Sequence, residues 1–285
     1  MARLLLTALM ALVVMPVYAI TYQAGLEDSE WFVQSSELEC RIWQPIPNFG
    51  EGVFSNRAGY NLQFHLRGAN SALAPGEAEL MAEGPIWKPG VEANKITDVW
   101  VVDDLIPLTV KAPFADLMMA KLGEGLMPTI ATKSDLAEGY PAVKVAVSTV
   151  NFPQAYADYE RCVRNLIPVN FRQIERSTIF YASGRTKLAP EVLEQLDLIV
   201  RYMKADKRIK RVVVDGHTDS AGDKESNIRV SKQRASLVVA YFKKAGISSK
   251  RIVMRWHGDR YPTAANDTDE GQARNRRVTI RLDRE

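Results

Sequence analysis

The chain has 285 residues, 46% of them hydrophobic and 25% charged, and a formal net charge of +3 at pH 7. These values exclude a disordered or low-complexity chain, and the length suggests two domains at roughly 100 to 200 residues each. The one strongly apolar stretch, Leu4 to Met15, is shorter than the ~20 residues a spanning helix needs, so an integral helical membrane protein is excluded and no transmembrane segment is expected in the mature chain.

Arg3 is the only charge before that stretch, Pro16 breaks it, and Val17-Tyr18-Ala19 offers small residues to a signal peptidase. Residues 1–19 are therefore expected to be an export signal, with the mature chain starting at Ile20. Export bears on the two cysteines, Cys40 and Cys162, because thiols in an oxidising compartment are expected to pair. A loop of that length contributes roughly 4 to 5 kcal/mol in the chain-entropy account. Cys40 lies too far beyond Ala19 to be a lipidated first residue.

Residues Ile20 to Val169 carry 11 basic against 19 acidic side chains, a net of −8, whereas Asn170 to Glu285 carries 25 against 15, a net of +10. The near-neutral total thus hides two halves of opposite sign, and only the second is suited to a polyanion. The first half, taken as a domain over 20–169, is β-rich with a few helices. Leu62 to Leu66 alternates apolar and polar residues, Val99 to Val102 is an apolar run, and Asn48-Phe49-Gly50, Ala74-Pro75-Gly76 and Lys88-Pro89-Gly90 punctuate the strands. Helices are expected over Pro113 to Leu122, closed at Gly123, and over Pro153 to Leu166, with Tyr156, Tyr159, Val163 and Leu166 on one face. Cys162 falls on the second helix, so a bond to Cys40 would tie the end of this domain to its start. Pro168 ends that helix and Val169 to Phe171 is expected to be a linker. Trp31, Trp43, Trp87 and Trp100 are expected in a core or a docking surface. His65 has no second histidine or cysteine nearby, so neither a metal nor a cofactor is expected.

The second half, 170–285, alternates strand and helix. Strands are expected at Ser177 to Tyr181, Arg211 to Asp215, Ile252 to Trp256 and Val278 to Leu282, the last after a long loop. One helix starts at Pro190 and carries Leu193, Leu196, Ile199, Val200 and Met203; a longer one runs from Asn227 to Ala245 and stops at Gly246. Such an order implies an α/β two-layer sandwich. On the longer helix Val230, Leu237, Val238 and Tyr241 form an inward stripe with Arg234 in its middle. A buried guanidinium needs an anion, and Asp219, after the strand in Gly216-His217-Thr218-Asp219, is the nearest candidate. Two readings stand at this point. Asp219 and Arg234 form a structural ion pair, or together they receive a zwitterion, the carboxylate taking an ammonium and the guanidinium a carboxylate.

Gly216-His217-Thr218-Asp219, Asn227, Ser231, Gln233-Arg234-Ala235, Gly258, Pro262 and Arg274-Asn275-Arg276-Arg277-Val278 resemble the OmpA-like peptidoglycan-binding domain over about Ser177 to Leu282. That resemblance implies non-catalytic binding to the diaminopimelate of the wall's stem peptide. Asp219 would take the ammonium and Arg234 the carboxylate, Thr218 and Asn227 would support the loop, His217 would be structural, and Arg274, Arg276 and Arg277 would be positioning or surface groups. Tyr181 to Leu188 is similar to the version found in flagellar stator subunits, with Tyr181 and Arg185 in place of the usual phenylalanine and serine.

The whole layout, an export signal, an acidic β-rich domain with Cys40-Arg41-Ile42-Trp43-Gln44-Pro45-Ile46-Pro47-Asn48, a cysteine near that domain's end and a C-terminal wall module, resembles the MotY family of the sodium-driven polar flagellar motor. This implies a periplasmic protein in a ring around the basal body, with MotX, the flagellar basal body and the stator complex as partners and no nucleic acid. The alternative is a general envelope-stability protein linking the cell wall to the outer membrane. A wall-cleaving enzyme is not expected: there is no activated nucleophile, and His217 with Asp219 is not a catalytic set.

Overall fold

The computed structural model describes residues 20–68, 73–133 and 142–285. The export signal expected over residues 1–19 lies outside the described residues. In chain order the first elements are β1 (Ile20–Tyr22), β2 (Phe32–Ser35), β3 (Glu39–Ile46), β4 (Gly50–Arg57), β5 (Gln63–Gly68), β6 (Gly76–Glu83), β7 (Asn94–Val101), β8 (Leu108–Lys111), α1 (Phe114–Gly123), β9 (Met127–Thr132), β10 (Val143–Ala146) and α2 (Phe152–Arg164). They form two sheets, ordered β1-β10-β9-β6-β7 and β2-β3-β4-β5-β8. Alternation explains the pairing faces: Cys40, Ile42, Gln44 and Ile46 of β3 are buried, as are Ala78, Leu80 and Ala82 of β6. Gln44 is the polar member of that series. It is satisfied by Ser29 Oγ at 2.9 Å, the Ser148 carbonyl at 3.2 Å and the Ser148 N–H at 2.7 Å, which removes the cost of burying an amide.

Of the four tryptophans expected in a core or a docking surface, two are exposed. Trp100, on β7, is 68% exposed, and Trp87, in the connection between β6 and β7, is 44% exposed. Trp31, by contrast, donates to the Ser148 carbonyl at 3.2 Å and meets Phe152 edge to face at 5.1 Å.

The remaining elements are α3 (Phe171–Ile174), β11 (Arg176–Phe180), α4 (Pro190–Ala205), β12 (Ile209–Gly216), α5 (Lys224–Lys244), a 3-10 turn (Ser249–Arg251), β13 (Ile252–Trp256), α6 (Asp269–Asn275) and β14 (Arg277–Arg284). The sheet order is β11-β14-β12-β13. β12 runs parallel to β13 and antiparallel to β14, so α5 is the crossover that a parallel pair requires. Leu196, Ile199 and Met203 of α4 and Ala235, Val238 and Phe242 of α5 pack with Val212, Val214, Val278 and Ile280 of the sheet. This is the expected two-layer sandwich. The buried side of α5 differs from the expected stripe in three residues: Leu237 is 37% exposed, Val230 and Tyr241 are half-buried, and Asn227, Ser231, Arg234, Ala235, Val238, Val239 and Phe242 are the residues turned inward.

The described chain forms two compact units that are discontinuous in sequence. One takes the chain up to Phe32 with Trp43–Phe54 and Gln63–Ala155; the other takes Val33–Ile42, Ser55–Leu62 and Tyr156–Glu285. Both cysteines lie in the second unit and are bonded, with their Cα atoms 5.8 Å apart. Ala58 and Ile167 are buried in the same apolar cluster as Ile179, Leu196 and Val238. Val169 to Phe171, expected to be a linker, is packed: Val169 and Phe171 lie against that cluster, and Asn170 opens α3 with a reciprocal cap to Gln173. No helix among the described residues is long and apolar enough to cross a membrane.

Candidate functional site

The site is built where β12 ends and α5 begins. Gly216 closes the strand, and a Cβ there would collide with the Ser231 carbonyl oxygen, so the missing side chain lets α5 seat against the strand end. Asp223 caps α5 by accepting from the Ser226 N–H at 2.8 Å, a bond that holds its carboxyl below the usual carboxylate range. This cap starts the helix three residues before the expected Asn227. Between strand and helix, the His217 N–H donates to the Arg277 carbonyl and the Thr218 N–H to the Gly258 carbonyl, each at 2.9 Å. Ser231 Oγ accepts from the Gly258 N–H at 3.0 Å.

Arg234 is 2% exposed. Its Nε and Nη2 donate to the Arg185 carbonyl at 3.1 and 3.0 Å, and Nη1 reaches the His217 carbonyl at 3.4 Å. The guanidinium lies 4.8 Å from the centre of the Tyr181 ring. Among the described residues no carboxylate is paired with it. Burial pulls its pKa below the ordinary arginine value, and the field of Asp219 acts in the opposite sense. Asp219, also buried, receives Arg276 Nη1 at 2.7 Å and the Ala221 N–H at 3.3 Å. Of the two readings of Asp219 and Arg234, then, the direct ion pair is not made. Arg276 is the acid's partner, held by its own Nε on the Tyr181 carbonyl at 3.2 Å.

On the same elements Tyr181 Oη, His217 Nδ1, Thr218 Oγ1 and Asn227 Nδ2 are buried with no hydrogen-bond partner among the described residues. Each such atom costs about 1 to 3 kcal/mol if nothing meets it, and their concentration here marks a place prepared for a ligand or ordered water. Thr218 and Asn227, expected from the resemblance to support the loop, are both among these buried side chains.

His217 is held neutral: burial, with the charges of Arg277 and His257, lowers its pKa to about 4. Its ring stacks on His257 at 5.0 Å. His257 in turn meets Asp215 at 2.9 Å, and Arg255 forks onto Asp215 at 2.6 and 3.0 Å. Burial alone would raise the Asp215 pKa, but these partners outweigh it and hold the carboxyl below its ordinary range. Among the described residues no group of histidine, cysteine and acidic side chains is placed to hold a metal ion.

The loop facing the site is fixed by Asn275, which is fully buried. Its Oδ1 accepts from the Thr263 and Ala264 N–H groups at 2.7 and 3.2 Å, and its Nδ2 donates to the Ala264 carbonyl at 2.8 Å and Asn266 Oδ1 at 2.9 Å. Asn266 Oδ1 also accepts from the Ser220 N–H at 3.2 Å, which fastens the two loops together. Arg277 donates to the Tyr261 carbonyl at 3.0 Å, a positioning role, while Arg274 is exposed. Sequence reasoning had named neither Asn275 nor Tyr181 as part of the site, and had not paired Arg276 with Asp219.

A sandwich of this order, with an arginine buried at the strand-to-helix edge and an acid beside it, is an OmpA-like domain, and residues 180–276 match the OmpA family. Residues 22–168 match the MotY N-terminal domain. The chain is 31% identical over 266 residues to the sodium-type flagellar protein MotY of Vibrio parahaemolyticus, covering 92% of this chain and 90% of that one. It belongs to the MotY family. Its C-terminal part is also 33% identical over 115 residues to outer membrane protein A of Bordetella avium, covering 40% of this chain and 59% of that one. Among solved structures, the peptidoglycan-associated lipoprotein of Burkholderia pseudomallei aligns at 19% identity and a TM-score of 0.36, over 37% of this chain and 89% of that one.

Proposed function

We propose that the protein is a non-catalytic periplasmic component of the sodium-driven flagellar motor: residues 170–285 bind peptidoglycan, and residues 20–169 associate with the basal body and MotX to place and stabilise the stator complex. The observation that carries the wall-binding reading is Arg234, buried with no carboxylate partner among the described residues and packed on the ring of Tyr181, whose buried hydroxyl has no partner among them either. A guanidinium in that state favours an anion strongly. The side-chain end of diaminopimelate supplies one as a carboxylate, together with an ammonium that suits Asp219. Thr218 and Asn227 then meet the ligand's remaining polar groups. The +10 charge of residues 170–285 draws the domain toward anionic wall polymers, while the −8 charge of residues 20–169 leaves attachment of that part to a specific protein surface.

The test is cosedimentation of the mature protein with isolated sacculi, paired with purification of basal bodies from swimming cells. Binding to sacculi that is lost in Arg234→Ala at equal folded content, and recovery of the chain with basal bodies, support the reading. A protein that ignores sacculi, or a deletion that leaves swimming intact and makes the envelope leak, overturns it.

A further inference from the structure

Tyr181 immediately follows β11, and both of its backbone groups are occupied. Its N–H donates to the Arg276 carbonyl at 2.8 Å, and its carbonyl accepts from Arg276 Nε at 3.2 Å. The side chain is 5% exposed, and its ring lies 4.8 Å from the Arg234 guanidinium. Its hydroxyl, held by that frame, has no hydrogen-bond partner among the described residues. A phenylalanine would give Arg234 the same aromatic face, since the attraction of a cation for a ring does not need the hydroxyl. It would also avoid burying an unpaired polar group. The hydroxyl is therefore a cost to the free protein that packing does not explain.

We infer that Tyr181 is a ligand-contacting residue: its hydroxyl donates to the same carboxylate that Arg234 takes, so that the site demands a carboxylate at the end of the ligand's side chain and rejects side chains ending in an ammonium alone. The inference rests on the wall-binding reading and deepens it. Burial lifts the phenol's pKa to about 12, so the group is a proton donor under all physiological conditions. A donor beside a buried cation is matched by an anion with several lone pairs. An ammonium could be accepted by the phenol oxygen, but the like charge of Arg234 opposes it there.

The experiment titrates the full mature protein with two soluble muropeptides, one whose stem peptide ends in meso-diaminopimelate and one ending in lysine, which lacks the second carboxylate. Tyr181→Phe is expected to bind the diaminopimelate peptide about tenfold or more weakly than wild type. Its residual binding of the lysine peptide should be unchanged, and its melting temperature equal or higher. Unchanged affinity for the diaminopimelate peptide, an equal loss with both peptides, or a lower melting temperature with normal binding each overturns the role of the hydroxyl. If wild type binds the diaminopimelate peptide and Arg234→Ala does not, such a result removes Tyr181 alone. If wild type does not bind it, the wall-binding reading itself falls.

Discussion

Asp219 is joined to Arg276, 57 residues away in sequence, at 2.7 Å, and Arg234 is left to backbone carbonyls although it feels the field of the same carboxylate. The acid is thus oriented by a cation other than Arg234, the residue that the proposed function makes the anchor of a ligand carboxylate. A ligand ammonium must share Asp219 with Arg276, whereas a ligand carboxylate meets an arginine with no acid to displace. The site is consequently asymmetric, with its stronger unsatisfied demand on the anionic end of a zwitterion.

The first prediction concerns this division of labour. Arg234→Ala should weaken sacculus binding by about tenfold or more, because a hydrogen bond to a charged group is worth roughly 1.5 to 3 kcal/mol. Asp219→Ala should weaken binding too, with a separate stability loss from leaving Arg276 unpaired.

That stability loss is open to a double-mutant cycle. The Asp219 and Arg276 side chains are 10% and 14% exposed, so removing either partner should cost on the order of 3 kcal/mol. The Asp219→Ala/Arg276→Ala double variant should lose less than the sum, since neither member of the pair is left buried without the other. Strictly additive losses in urea denaturation would show that the pair is not coupled in solution.

His217 gives a pH dependence with a definite sign. Its folded pKa, about 4, lies below its ordinary value of 6.5, so between those values the unfolded chain binds the extra proton and stability falls as the pH falls. The slope approaches ~1.4 kcal/mol per pH unit below 6.5. Asp215 also loses stability on acidification, but only below the ordinary carboxylate range, since its folded pKa is depressed. Urea midpoints measured from pH 7 to pH 5 should decline in wild type and decline less in His217→Asn; identical slopes would remove His217 as the cause.

Much of this was legible in the sequence where one local signal decided the outcome. Pro190 and the apolar positions after it define α4, and the hydrophobic run Val212 to Val214 defines β12. Export makes a Cys40–Cys162 bond the expected state of two thiols, and the bond is present. Arg234 was legible as buried because its neighbours on the helix are apolar. Its hydrogen-bond partners were not, because helical spacing says which side chain faces inward and nothing about which distant carbonyl or acid meets it. The same limit hid the partners of Asn275, whose four bonds all run to a loop without periodicity. Leu237 is exposed and Val230 and Tyr241 only half-buried because a stripe drawn at three- and four-residue steps is wider than the surface that α4 and the sheet cover. Short helices such as α3 and α6 carry too few residues for a periodic pattern. The grouping of 33–42 and 55–62 with the C-terminal part depends on contacts between residues far apart in sequence, such as Ala58 with the cluster around Leu196.

The disulfide should prove structural for the second compact unit. Both cysteines and the segments they join lie in it, so Cys40→Ser/Cys162→Ser should cost roughly 2 to 5 kcal/mol. Thiol labelling of the unfolded, unreduced wild type should find no reactive group. Two labelled thiols would contradict the bond, and an unchanged melting temperature in the double variant would deny it a stabilising role.

The last prediction separates wall binding from the stability of the domain that performs it. All residues of the candidate site lie between Tyr181 and Arg277, so a fragment of residues 170–285 carries the complete candidate receptor and should bind sacculi. Its core, however, is incomplete. Ile167 is fully buried and Ala58 nearly so in the cluster that holds Leu196 and Val238, and Leu38, Leu166 and Val169 pack against it from the same side of the chain's division. Burying a side chain the size of Ile167 is worth roughly 1.5 to 3 kcal/mol, so the fragment should melt well below the domain in the full mature chain, with affinity per folded molecule preserved. Replacing Ile167 by Ala in the full chain should reproduce part of that loss, about 2 kcal/mol or more with the cavity it leaves. A fragment that melts like the full chain would show that the segments before Asn170 add nothing to this core. One that is stable yet fails to bind sacculi would place part of the receptor outside residues 170–285.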